Sequence, residues 1–127
     1  MSRSIQYQLE YPIHTSIKFL YPYVSTADGL QQWFADKVII QGKEFVFQWD
    51  GSEQKAKLLH KKPFKSIRFK CAETPDDTFF EFAFHEDPLT RNVSLIITDF
   101  AAGEQEKEEA TRMWNSQVEE LFQHTGL

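Results

Sequence analysis

Apolar and polar residues alternate with a period of two through most of the first hundred positions, then switch to a helical period. Tyr7, Leu9, Tyr11 and Ile13 alternate with Gln8, Glu10 and Pro12, which predicts a strand over 5–13. Pro12 cannot donate to a ladder, so it points to a sheet edge or a bulge. Ile17, Leu20, Tyr21 and Val24 follow at helical spacing, a short helix near 16–24 with Thr15 or Ser16 as N-cap and Pro22 as its end or kink. Leu30, Trp33 and Phe34 at i, i+3 and i+4 predict a second short helix over 27–35, capped by Ser25 or Thr26 with Asp28 in a capping-box-like place. Gly29 weakens it from inside.

Six more strands follow. Val38–Ile40 leads into a turn at Gln41-Gly42-Lys43. Phe45, Phe47 and Trp49 alternate with Val46 and Gln48, and Asp50-Gly51 is a strong hairpin signal returning through Glu53–His60 to Pro63. Ile67, Phe69 and Cys71 alternate with Arg68 and Lys70 up to a loop at 74–77. Phe80, Phe82 and Phe84 alternate with Glu81, Ala83 and His85, and Val93, Leu95 and Ile97 follow a turn at 87–92. These hairpin-length spacings imply antiparallel pairing. From Glu104 onward Ala110, Met113, Trp114, Gln117, Val118, Leu121 and Phe122 share one stripe, acidic residues load the first turns, and Gly126 suits a C-cap. This is a helix of about twenty residues, roughly 30 Å long.

A sheet with one dry face must cover it, and this helix is the only element long enough. The expected fold is α+β of the helix-grip kind: an antiparallel sheet of about seven strands, curved around the C-terminal helix, with two short helices after the first strand. The chain reads as one domain over 1–127.

Composition sharpens this picture in one respect. Twelve Phe, three Trp and four Tyr in 127 residues require either a bulky core or a lined cavity. The net charge of −5 argues against nucleic acid and against anionic membrane surfaces. The one basic stretch, Lys55, Lys57, Lys61, Lys62 and Lys65, reads as a solvated strand face and turn. Cys71 stands alone, so an intramolecular disulfide is impossible, which fits a reducing compartment. No run approaches the ~20 apolar residues of a membrane span, and Met1 to Gln8 lacks a signal-peptide layout. A cytoplasmic location without membrane insertion is expected.

The segment Val24-Ser25-Thr26-Ala27-Asp28-Gly29-Leu30-Gln31-Gln32-Trp33-Phe34-Ala35 resembles the second-helix signature of START-like (Bet v 1-like, SRPBCC) domains, nearest to the branch related to the activator of Hsp90 ATPase. The strand Phe45-Val46-Phe47-Gln48-Trp49-Asp50-Gly51 is similar to that branch's third strand, and Trp114 fits its closing helix. The resemblance spans nearly the whole chain. It implies a cavity between sheet and long helix; members of the superfamily bind lipids, hormones and polyketides, a few catalyse cyclisation or hydrolysis, and one branch binds a chaperone. Fold alone does not settle function.

The candidate cavity residues are Trp33, Phe34, Phe45, Phe47, Trp49, Phe69, Phe80, Phe82, Phe84, Ile97, Asp99, Trp114 and Val118, which either line a ligand site or fill a core. Phe79 and Phe80 point to opposite faces. Trp33 and Trp49 carry indole N–H groups that need an acceptor, a ligand oxygen or a backbone carbonyl. Asp99 continues the inward face of Val93, Leu95 and Ile97, where it either reaches a pocket mouth or forms a cap or salt bridge near the long helix. His14, His60, His85 and His124 have no metal-ligand spacing, and no cofactor is expected. Glu81 and His85 share the outward face of their strand.

Three readings compete. A binding domain for a small apolar or lipid-like ligand leads, on the aromatic inward faces. A protein-interaction module of the Hsp90-activator type, with a protein partner, is the alternative. An enzyme of cyclase or hydrolase type needs two inward titratable groups within reach; Asp99, Glu81 and His60 are scattered and mostly of the wrong parity, and Cys71 lies on a dry face with no base beside it. A non-enzymatic role is expected.

Overall fold

The computed structural model describes residues 4–75 and 77–126; Met1–Arg3 of the expected N-terminal reading and Asp76 of the 74–77 loop lie outside them. The elements run β1 (Ile5–Ile13), α1 (Ile17–Leu20), α2 (Pro22–Ser25), α3 (Ala27–Leu30), β2 (Lys37–Gln41), β3 (Glu44–Trp49), β4 (Ser52–Lys62), β5 (Ser66–Cys71), β6 (Phe80–Glu86), β7 (Val93–Ala101) and α4 (Glu104–Thr125). The strands form one antiparallel sheet in the order β1-β7-β6-β5-β4-β3-β2, an α+β helix-grip fold.

The strand order gives the three short helices their task. β1 and β2 are consecutive strands yet occupy opposite edges, so α1–α3 carry the chain across the sheet. On the way Tyr21 packs on Phe84, and Phe34 on Phe47 and Phe80. Pro12 sits on the edge strand β1 opposite Ser94, in unbroken register with β7, so the edge explains it and no bulge is needed.

The helix expected over 16–24 is divided. Ser16 caps α1 by accepting from the Phe19 N–H, and Pro22 opens a separate α2. The lost N–H and the ring clash of an interior proline explain the break. Thr26, rather than Ser25, caps α3 by accepting from the Gly29 N–H, while the Ser25 hydroxyl donates to the Tyr21 carbonyl. The α-helix ends at Leu30 and the chain reaches Trp33 and Phe34 through turns. Gly29, awkward by propensity, has a packing reason: a Cβ there would lie 2.1 Å from the Pro22 carbonyl oxygen.

Inward faces follow parity. Phe45 and Phe47 of β3, Ile67 and Phe69 of β5, Phe80 and Phe82 of β6, and Leu95 and Ile97 of β7 are buried. In β4 the register with β5 shifts between Leu58 and His60, which places His60 opposite Arg68 on the outer face. There Arg68 Nε lies 2.6 Å from Glu81 Oε2, and His60 Nε2 lies 3.5 Å from the same oxygen. Glu81 is on the outward face as expected, but its side chain is only 14% exposed beneath Arg68 and His60, and the Arg68 guanidinium in turn stacks over Phe79. Lys55, Lys57, Lys61, Lys62 and Lys65 are all exposed.

α4 closes the inner face with Trp114, Val118 and Leu121. Glu104 and Glu106 sit in its first turn, where the positive end of the dipole favours them. Gly126 ends it with φ 79°, the left-handed conformation a glycine C-cap supplies.

Gly29→Ala is expected to destabilise the fold by about 2 kcal/mol, since overpacking against backbone cannot relax by a rotamer change. Urea unfolding checks this; a midpoint equal to the parent's contradicts it.

Candidate functional site

The N-terminal half of α4 does not lie flat on the sheet. Between it and the end of the sheet formed by the β3–β4 turn and the β5–β6 loop is an open cleft of about 500 Å³. Its walls are Phe34, Trp49, Phe80 and Trp114, with Phe100, Ala110 and Met113 at the sides and Ser52, Gln54, Cys71, Thr74, Asp99, Glu106 and Gln117 as polar or sulfur-bearing groups. A smaller recess of about 160 Å³ shares Cys71, Thr74, Phe80, Asp99, Phe100 and Glu106 and runs on toward Thr78 and Ala101.

Register explains who meets there. The two-residue turn at Asp50-Gly51, with Gly51 at φ 82°, pairs Trp49 with Ser52 and Phe47 with Gln54, so Ser52 and Gln54 share the inner face. Ala56 pairs with Cys71, and Tyr7 with Asp99, on the same face. From α4, Glu106, Ala110, Met113, Trp114 and Gln117 recur at helical spacing.

Asp99 is the most connected polar group of the cleft. Its Oδ2 accepts from the Trp114 indole N–H at 3.0 Å and from the Tyr7 hydroxyl at 3.3 Å, and its Oδ1 accepts from the Phe100 N–H at 2.8 Å. Burial pushes its carboxyl above the usual range, only partly offset by these three donors. The same carboxylate, with burial as the larger cause, pushes the Tyr7 phenol up. Burial first, then Asp99, raises the Cys71 thiol to about 11. Gln54 Nε2 donates to Cys71 Sγ at 3.0 Å, so this sulfur has an amide, and no base, as its partner.

Of the residues expected to line a cavity, the structure brings Phe34, Trp49, Phe80, Asp99 and Trp114 to the cleft. Phe45, Phe47, Phe69, Phe82, Ile97 and Val118 are packed in the core, each at most 3% exposed, and Phe84 packs on Tyr21. Trp33 lies in the core against Phe34 and Phe82. The sheet's curl separates them: inward parity is shared, but only positions near one end of the sheet escape coverage by α3 and α4. The indole N–H groups of Trp33 and Trp49 donate to the Tyr23 and Phe34 carbonyls, each at 2.8 Å, so neither is free for a ligand oxygen. Asp99 forms neither a helix cap nor a salt bridge; it bonds to Trp114, Tyr7 and Phe100. Gln54, Ser52, Cys71, Thr74, Phe100, Glu106, Ala110, Met113 and Gln117 also line the cleft and were not among the expected cavity residues, although the Asp50-Gly51 register and the helical stripe contain the signal for Gln54, Ser52, Ala110, Met113 and Gln117. Among the described residues no group of three or more His, Cys, Asp or Glu is placed to hold a metal.

A family model described as a START-like superfamily domain matches residues 1–127. Among solved structures, the solution NMR structure of BfR322 from Bacteroides fragilis is 32% identical, covers 98% of this chain and 93% of its own, and superposes with TM-score 0.66. The Aha1 dimer from Colwellia psychrerythraea is 16% identical over 92% of each chain, TM-score 0.76. DynU16, a protein of the dynemicin biosynthetic locus, is 14% identical over 95% of this chain and 48% of its own, TM-score 0.75. The last two likenesses are likenesses of fold. No curated protein matches the chain.

Two predictions follow from the electrostatics. A thiol raised to about 11 has little thiolate at pH 8, so Cys71 of the folded protein should react with iodoacetamide about a hundredfold more slowly than after denaturation; equal rates would contradict this. Asp99 has a folded pKa above its unfolded value, so the folded state binds more protons within that window and this group's contribution to stability falls as pH rises through it. Asp99→Asn removes that dependence. Measured by urea unfolding, its stability relative to the parent should increase from pH 4 to pH 7; a constant difference contradicts the assignment.

Proposed function

We propose, from the premise that the chain belongs to the START-like superfamily, that it is a non-enzymatic domain binding a small apolar or lipid-like ligand in the cleft between the sheet and α4. The observation that carries this reading is the cleft itself: about 500 Å³, aromatic-walled, with a few convergent polar groups, the usual make-up of a small-ligand site. Ligand binding is also typical of the superfamily. The likeness to the Aha1 dimer is one of fold at 16% identity and assigns no protein partner to this chain.

The chemistry of the polar groups favours binding over catalysis. Cys71 is held as a neutral thiol against an amide, and three of the acceptor sites of Asp99 are used by Trp114, Tyr7 and Phe100. A nucleophile needs an activating base, and neither residue has one. Among the described residues no helix is long and apolar enough to cross a membrane. The free Cys71 fits a reducing, cytoplasmic setting as part of the same proposal.

Native mass spectrometry of freshly purified protein should show a surplus mass that disappears on denaturation, or saturable quenching of tryptophan fluorescence when decanol is titrated in. Ala110→Phe, which projects a ring into the cleft from α4, should weaken decanol binding at least about tenfold without lowering thermal stability by more than a few degrees. The reading is sunk by the absence of both mass surplus and saturable quenching, or by decanol binding that ignores Ala110→Phe.

A further inference from the structure

The cleft has an uneven charge. Among the described residues two carboxylates, Asp99 and Glu106, line it, and no Lys, Arg or His does. Two lysines on flanking elements, Lys70 and Lys107, lie outside the lining. Lys70 Nζ donates to the Thr74 carbonyl and hydroxyl at 2.9 and 2.8 Å and to the Pro75 carbonyl at 2.5 Å, which fastens the β5–β6 loop. Lys107 Nζ stands 5.9 Å from the centre of the Tyr7 ring and is not part of the lining.

A carboxylate offers about four lone-pair positions, and Asp99 receives three donors, two on Oδ2 and one on Oδ1. One acceptor position on Oδ1 is left over. Phe34, Trp49, Phe80 and Trp114 line the same cleft, and aromatic walls attract a cation at their faces and disfavour an anion there. We propose that the cleft selects a cationic amphiphile, an alkyl ammonium whose chain lies along the aromatic walls and whose head sits at Asp99, and that it rejects the matching carboxylate. This rests on the reading of the cleft as a ligand site and names the class of ligand it takes.

The surroundings of Asp99 strengthen the argument. From β1 it faces Tyr7, from β5 Cys71, and from α4 Glu106 and Trp114. The first two are neutral because their own ionisations are pushed up, and Glu106 adds negative charge. Among the described residues no partner in this set supplies a positive charge, so a bound ammonium would relieve a carboxylate that burial now disfavours.

The test is a titration series with one chain and three heads: decylammonium, decanol and decanoate, each below its micelle concentration, followed by calorimetry at pH 7.5 on the full chain. The expected order is decylammonium tightest and decanoate weakest, with about tenfold or more between the two. Asp99→Asn should reduce that ratio to about threefold or less. Glu106→Gln, on an exposed helical turn, serves as the second variant should Asp99→Asn unfold, and should narrow the ratio in the same direction. Decanoate binding as tightly as decylammonium, or a ratio unchanged in both variants, overturns the charge selectivity and leaves the binding reading standing. Failure of all three probes overturns the binding reading itself.

Discussion

Phe34 is where three parts of the molecule are held against one another. Its ring stacks on Trp114 of α4 at 5.7 Å and on Phe80 of β6 at 5.9 Å, and meets Phe47 and Trp49 of β3 edge-on at 5.0 and 5.5 Å. Its carbonyl accepts from the Trp49 indole at 2.8 Å and from the Gln117 amide at 3.0 Å. A segment without regular structure after α3 is thereby fixed by both its ring and its backbone, and the long helix is fixed with it. Aromatic pairs of this geometry contribute beyond their buried area. The position of α4, and hence the width of the cleft beside it, depends on this contact.

Asp99 does for the other side of the cleft what Phe34 does for the floor. It ties β7 to β1 through Tyr7 and to α4 through Trp114, so the two edges of the cleft share one carboxylate. A carboxylate in an aromatic setting is disfavoured by burial and retained by its donors. Structural anchoring and a remaining acceptor position on Oδ1 are compatible uses of the same group.

Much of the fold was legible in the sequence because each strand shows one dry face and α4 a clear stripe. β1 matches residue for residue, and the Asp50-Gly51 turn sets the β3–β4 register on which Trp49, Ser52 and Gln54 depend. Other features required three dimensions. Pro22 and Gly29 both signalled trouble for helices, but only the approach of α2 to α3, with the Pro22 carbonyl against Gly29, shows why one breaks and the other is required. The register shift after Leu58, which the strand pattern does not signal, sets His60 on the outer face beside Arg68 and Glu81. Parity likewise identified inward aromatics without saying which of them α3 and α4 cover, so Phe47, Phe69 and Phe82 were indistinguishable from Phe80, although only Phe80 reaches the cleft.

Amide NMR of the labelled protein titrated with decanol tests the central claim, that this cleft is the ligand site. The account predicts that shifts concentrate on the Trp49 and Trp114 indole N–H groups and on the Gln54 and Gln117 side-chain amides, with the Trp33 indole, outside the cleft lining, little changed. Shifts gathered instead around the exposed Phe19, Leu59 and Phe64, with the two cleft indoles unmoved, would contradict it.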